Sequence, residues 1–140
     1  MKAIIQRVNY SAVFVENKLI SEINKGLNVL IGFESTDTEE NIYKMAKKIA
    51  TLRIFENFSK SILDIDGEIL LIPNFTIAGV TKKGTKPNFQ YAMKKELAQQ
   101  FYDKMLNELN NYCTCKSGKF GAEMNVIINN EGPVSLILEI

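Results

Sequence analysis

Apolar side chains recur with a period of two in successive runs between Lys2 and Phe33, and no helical interval begins before Thr36. A chain that opens this way must build sheet first and cover it afterwards. Lys2 to Val8 alternates, and residues 11 to 22 read as a hairpin turning at Asn17-Lys18 with Val13 and Val15 on one face. In the next run Leu27, Val29, Ile31 and Phe33 share a face, so four strands are expected before any helix. Thr36-Asp37-Thr38-Glu39 has capping-box spacing, and Ile42, Met45, Ala46, Ile49 and Leu52 follow at helical intervals, which predicts a helix over 38–51. Ile69-Leu70-Leu71-Ile72 is apolar on both faces, as a central, doubly covered strand requires, and it stops at Pro73. Residues 74–90 are too irregular for an element. A second helix is expected over 91–110 on Ala98, Phe101, Tyr102, Met105 and Leu109, and then two closing strands, 123–129 and 134–140. In the last of these Val134, Leu136, Leu138 and Ile140 form one apolar face. The expected fold is α+β: a single domain over residues 1–140, a strongly curved mixed sheet with two helices packed on it.

Composition limits the partners. Seventeen Lys and Arg against sixteen Asp and Glu leave a net charge of +1, so no global basic field marks the chain and any RNA contact must be local. No DNA partner is expected. With no apolar leader and no apolar run long enough to span a bilayer, the expectation is a soluble cytoplasmic protein without a membrane partner. The two cysteines, Cys113 and Cys115, are too close in sequence to staple much and suit a reducing compartment. Without histidine or a second cysteine pair they make a poor zinc site, and neither a metal nor another cofactor is expected. The absence of histidine also excludes Ser-His-Asp and Cys-His catalysis and a histidine general base.

The chain's three prolines all lie in segments that break the strand or helix pattern: Pro73-Asn74-Phe75-Thr76, Gly84-Thr85-Lys86-Pro87-Asn88-Phe89 and Asn130-Glu131-Gly132-Pro133. At the end of a buried strand Thr76 offers a hydroxyl and Asn74 an amide, to a ligand or to the backbone of the strand end. Gly132-Pro133 reads either as a tight turn or as a pair that displays bare backbone groups toward a ligand. Arg7 shares a strand face with Ala3 and Ile5, so its guanidinium either reaches a fixed acceptor across a partly buried surface or snorkels to solvent.

Taken in order, Ala3-Ile4-Ile5-Gln6-Arg7-Val8, Gly26 to Gly32, Leu52-Arg53-Ile54-Phe55, Asn74-Phe75-Thr76, Gly84 to Phe89, Gly118-Lys119-Phe120-Gly121-Ala122-Glu123-Met124 and Asn130 to Ser135 resemble the D-aminoacyl-tRNA deacylases over nearly the whole length. The resemblance implies a homodimer acting on the 3′ acceptor end of aminoacyl-tRNA. Gly132 and Pro133 match a dipeptide which that family holds in the cis form and inserts into the partner's pocket, and Arg7 matches the arginine that holds it. Its carbonyls would fence the α-carbon of the bound aminoacyl group, so that an L side chain collides and a D side chain points away. Glycine, having no side chain, would not be excluded.

The resemblance further implies a catalytic segment at Phe75 and Thr76, with Pro73, Asn74, Lys86, Phe89 and Met124 on the substrate. An aminoacyl ester is already activated and needs mainly positioning and oxyanion stabilisation. The expected chemistry uses the 2′-hydroxyl of the terminal ribose to help activate water, with N–H groups around Phe75 and Thr76 on the oxyanion. Phe89 is a candidate to stack on the terminal adenine or to anchor its loop. One departure stands out. Where the family carries Ser-Gln, this chain reads Pro73-Asn74, losing a hydroxyl, a backbone N–H and one methylene. Altered chirality toward L-alanyl-tRNA, a tRNA-end binding protein without catalysis and a purely structural dimeric sheet protein therefore stay open at this point.

Overall fold

Lys2–Val15 forms one fourteen-residue strand, β1, the spine of a six-stranded mixed sheet. The computed structural model describes residues 1–140. On one edge of β1, residues 2–8 pair antiparallel with β3 (Gly26–Gly32) and residues 11–15 with β2 (Lys18–Ile23). On its other edge β1 pairs antiparallel with β6 (Asn125–Glu139). Two parallel ladders extend the sheet from β3 to β4 (Glu68–Pro73) and from β4 to β5 (Cys115–Ser117). The sheet then curls until β2 and β5 meet: the Ser21 hydroxyl donates to the Ser117 carbonyl, and Lys116 Nζ to the Glu22 carbonyl at 2.8 Å. The result is a nearly closed barrel.

The helices α1 (Glu39–Thr51) and α2 (Lys95–Asn110) cover this barrel from outside. Ile42, Met45 and Ile49 of α1 and Phe101, Met105 and Leu109 of α2 join Ile5, Val29, Ile69 and Leu71 in the main core. Successive residues of a strand point to opposite faces, so Leu70 and Ile72 turn the other way. There they meet Val8, Val13 and Ile23 in a smaller cluster inside the curl. The unbroken apolar run of β4 is thus used on both sides, and a hydrophobic strand of this kind belongs in the middle of a sheet. No helix is long and apolar enough to cross a membrane.

Several expectations are corrected. Residues 2–15 form one strand rather than two, so three strands precede α1, and the hairpin turns at Glu16-Asn17, whose φ values are 50° and 63°. The α1 cap is Thr38, whose N–H donates to Asn41 Oδ1 at 2.7 Å, in place of a box between Thr36 and Glu39. α2 begins at Lys95 because residues before it are extended: Met93 N–H bonds the Phe33 carbonyl, and Ser35 N–H the Tyr91 carbonyl. Within 74–90 there is structure after all, a 3₁₀ turn at Phe75–Ala78 and a bridge between Val80 and Asn88. The two closing strands are one, β6, interrupted by an excursion. Of its last apolar face, Val134 and Leu138 pack on the core, while Leu136 and Ile140 are exposed and Ile137 on the other face is 71% exposed.

Candidate active site

Because β3 and β4 run parallel, their carboxyl ends reach the same rim of the barrel, the place where sheets of this kind hold ligands. A cavity of about 480 Å³ opens there. Ile31 and Gly32 of β3 with Phe33 just after it, and Asn74 and Phe75 beyond β4, form its base. Met93, Lys95 and Ala98 make one wall, and Phe120, Gly121, Ala122 and Glu123 the other. The second wall is backed by Tyr102, whose ring lies 5.8 Å from that of Phe120 and whose hydroxyl donates to the Leu71 carbonyl at 2.8 Å. Burial holds the Tyr102 phenol well above its ordinary pKa, so it is a fixed neutral donor rather than an acid.

Pro73 ends β4, and Asn74 caps the 3₁₀ turn that follows. Its Oδ1 accepts both the Thr76 N–H, at 3.2 Å, and the Thr76 hydroxyl. Two consequences bear on catalysis. An amide oxygen is not a base, so nothing here activates Thr76 as a nucleophile. The Thr76 N–H is already committed, whereas the Phe75 N–H, at the first position of the turn, has no acceptor within it. Of the two expected oxyanion donors, Phe75 alone is free.

Phe75 is 62% exposed and meets Phe89 edge to face, with centroids 5.2 Å apart. A Cβ at Gly79 would stand 2.8 Å from Phe89, so only glycine lets that ring settle here. Phe89 therefore anchors its loop while staying partly open. Met124 lies beside Pro73 across Gly118, its sulfur accepting the Lys119 N–H at 3.4 Å, and it packs toward the inner cluster rather than lining the cavity. Lys86 is exposed in the loop beyond.

Arg7, Gly132 and Pro133 are elsewhere. Gln6 pairs with Ser135 and Val8 with Asn130, so residues 131–134 stand opposite Arg7 alone and bulge from the ladder. The Gly132-Pro133 peptide at the crest is cis, and both residues are exposed. Beneath it Arg7 does reach a fixed acceptor: Nη1 donates to the Ile54 carbonyl at 2.7 Å, and Nε lies 3.4 Å from the Glu131 carboxylate. Gly132 has φ +115°, and a Cβ there would come within 3.1 Å of the Arg7 guanidinium. Asn130 closes the base, donating to the Arg7 and Val134 carbonyls at 3.0 and 3.1 Å. On β3 the residue opposite Arg7 is Leu27, whereas the cavity begins at Ile31 and Gly32. At ~3.3 Å per residue that is about 13 to 17 Å along one strand. The dipeptide does not reach its own chain's cavity.

Residues 4–139 match the family model described as D-Tyr-tRNA(Tyr) deacylase. The chain belongs to that family. Its members are hydrolases that act on aminoacyl-tRNA, and D-aminoacyl-tRNA deacylation is the activity of this deacylase. It is 64% identical over 141 residues to the D-aminoacyl-tRNA deacylase of Nautilia profundicola, covering 100% of both chains. It is 46% identical to that of a Sulfurihydrogenibium species, covering 99% and 97%. A solved structure named c-Myc DNA Unwinding Element Binding Protein superposes with TM-score 0.96 at 41% identity over 100% and 99% of the two chains. A probable eukaryotic D-amino acid tRNA deacylase shares the fold, with TM-score 0.87 at 19% identity over 99% and 98%.

Lys95, Phe120 and Glu123 were not among the expected site residues of this deacylase. Lys95 is the first residue of α2, and Phe120 and Glu123 lie in the Gly118–Met124 segment. The structure contains no group of three or more acidic or cysteine side chains placed to hold a metal ion.

Proposed function

We propose that the protein works in the cytoplasm as a homodimer with two composite sites, each a cavity from one chain closed by Gly132-Pro133 of the other. In this reading it cleaves the ester of D-aminoacyl-tRNA and of glycyl-tRNA and rejects L-aminoacyl groups by collision with the dipeptide. The observation that carries it is the separation within one chain: a braced, exposed dipeptide about 13 to 17 Å along the strand from the cavity it is meant to guard. The bare edge of β6 and its exposed apolar side chains Ile127, Leu136 and Ile137 support a partner along that strand. The free thiols Cys113 and Cys115 fit a reducing compartment.

Chemically, water attacks the ester carbonyl, assisted by the ribose 2′-hydroxyl, and the Phe75 N–H stabilises the oxyanion. Collapse breaks the bond to the 3′-oxygen, which leaves as the hydroxyl of free tRNA. Thousandfold rejection of the L form needs only about 4 kcal/mol, within reach of one rigid clash. Phe75 and Phe89 receive the terminal adenosine, and Pro73-Asn74 shapes the floor without the family's usual serine hydroxyl.

The decisive experiment mixes equal amounts of two variants, one altered at Gly132, which loses discrimination, and one at Phe75, which loses activity. In each mixed dimer the one working cavity is guarded by the intact dipeptide of the other chain, so random exchange should halve the L-aminoacyl-tRNA hydrolysis shown by the Gly132 variant alone. L-hydrolysis undiminished after verified subunit exchange would sink the composite site. A 2′-deoxyadenosine-ended substrate should be hydrolysed poorly, and full activity on it would remove the RNA-assisted step.

A further inference from the structure

The charge of this chain is not evenly spread. From Ile69 to Lys95 there is no Asp or Glu, while Lys82, Lys83, Lys86, Lys94 and Lys95 all fall within that stretch. The remaining chain carries twelve basic and sixteen acidic residues, so a near-neutral protein is divided into a cationic segment and an anionic body. Of the ten lysines elsewhere, five find carboxylates: Lys2 pairs with Glu34, Lys44 with Glu40, Lys60 with Glu56, Lys104 with Glu39 and Lys116 with Glu68. None of the five within the stretch has such a partner, and all are exposed.

The fold puts Lys95 in the cavity wall and roots the hairpin that carries Lys82, Lys83 and Lys86 at its rim. Val80 and Asn88 exchange backbone hydrogen bonds of 2.8 and 3.0 Å, closing this hairpin, whose tip is Thr81–Pro87. Phe89 fixes its base against Phe75 at the rim. A loop of that length projects by about 10 Å at ~3.3 Å per residue. Lys95, on the cavity wall, and Lys94 continue the charge toward the opening. Cations beside a ligand cavity with no carboxylate partners suit a polyanion that passes by the cavity rather than entering it.

We propose that this hairpin and the start of α2 form a clamp for the phosphates of the RNA stem that carries the acyl group, with Lys82 and Lys83 gripping the backbone beyond the single-stranded 3′ end. The proposal rests on the deacylase reading above and adds to it the surface that tells a tRNA from a bare aminoacyl-nucleoside. Five phosphate contacts would make log affinity fall with log salt at a slope of about −3.5 to −4.5.

The test compares wild type and K82Q/K83Q on D-aminoacyl-tRNA and on the matching D-aminoacyl-adenosine, and measures binding of an uncharged acceptor-stem minihelix across a salt series. The variant should lower kcat/KM for the tRNA at least tenfold relative to the nucleoside, and flatten the minihelix salt slope by about 1.5. An unchanged ratio, or an equal loss on both substrates, overturns the clamp. If the wild type hydrolyses neither substrate the deacylase reading fails, and the binding series still decides the clamp: minihelix affinity unaffected by K82Q/K83Q rejects it. A DNA duplex bound more tightly than the minihelix also rejects it, in favour of a DNA partner of the kind named for the superposed structure.

Discussion

The two ends of β3 are built from different materials. At its carboxyl end, strand ends and one helix start surround an apolar cavity, and the local polar groups satisfy one another: Asn74 takes both donors of Thr76. At its amino end there is no apolar hollow, only a four-residue excursion propped on a guanidinium that is itself tied to the Ile54 carbonyl. The first end is concave and able to receive a ligand. The second is convex and braced, and its φ of +115° at Gly132 leaves no room for another residue. In the proposed reading, selection and chemistry are thus kept on separate parts of one chain and meet only when two chains do.

The sharpest way to break this contrast is Gly132→Ala, which puts a Cβ at 3.0 Å from the Val134 backbone nitrogen and 3.1 Å from Arg7. Discrimination between matched D- and L-aminoacyl-tRNA should fall at least a hundredfold, read as the ratio of the two rates. A ratio that survives would separate the dipeptide from selectivity. Next, Thr76→Ala at the cavity end should cost under about a hundredfold in rate, far from the ~10⁶-fold loss typical when a true nucleophile is removed. Single-turnover hydrolysis measures it. Glycyl-tRNA should be cleaved at a rate comparable to a D-aminoacyl substrate, and a glycyl-tRNA half-life unaffected by the protein would contradict exclusion by collision.

Smaller effects concern stability. Arg7→Ala removes a charged hydrogen bond to a backbone carbonyl and should lower unfolding free energy by about 1.5–3 kcal/mol, a loss seen in denaturant titration. Burial raises Cys115 and Tyr102 above their ordinary values and pushes Cys113 up to about 11. The folded state therefore holds protons that the unfolded chain has lost above roughly pH 8.5 for the thiols and pH 10 for the phenol. Stability is unaffected by these groups below that range and falls as pH rises through it. Melting temperature against pH should show the decline, and alkylation of native Cys115 at pH 8 should be slow.

Much of the architecture could be read from period alone. The helical interval from Ile42 to Ile49 and the two-faced run of β4 depend on local pattern, and both are as expected. What escaped had no local signal. β5 is three residues long, too short for alternation. Glu56, Asn57 and Phe58 turn with φ of 46°, 58° and 61° and no glycine to announce it. β6 continues past a glycine and a proline because β1 supplies a partner on both sides of the excursion. At the site, Asn74 and Phe75 stood out as breaks in the pattern, but Lys95 joins them only through packing of α2. Nor could the sequence alone reveal that Arg7 and Gly132 sit far from Phe75, since their separation follows from register between strands.

The pairing of β1 with β6 also dictates when the molecule can become whole. Lys2 lies opposite Glu139 and Phe14 opposite Asn125, so this ladder joins residues more than a hundred positions apart. Contacts of such sequence separation close the largest loops, and chains dominated by them fold in milliseconds to seconds rather than microseconds. Until β6 arrives, the outer edge of β1 stands open along its length, a template for any other extended chain. The bulge that presents Gly132-Pro133 belongs to that same late strand, so the residues proposed to choose the substrate are among the last to take their place.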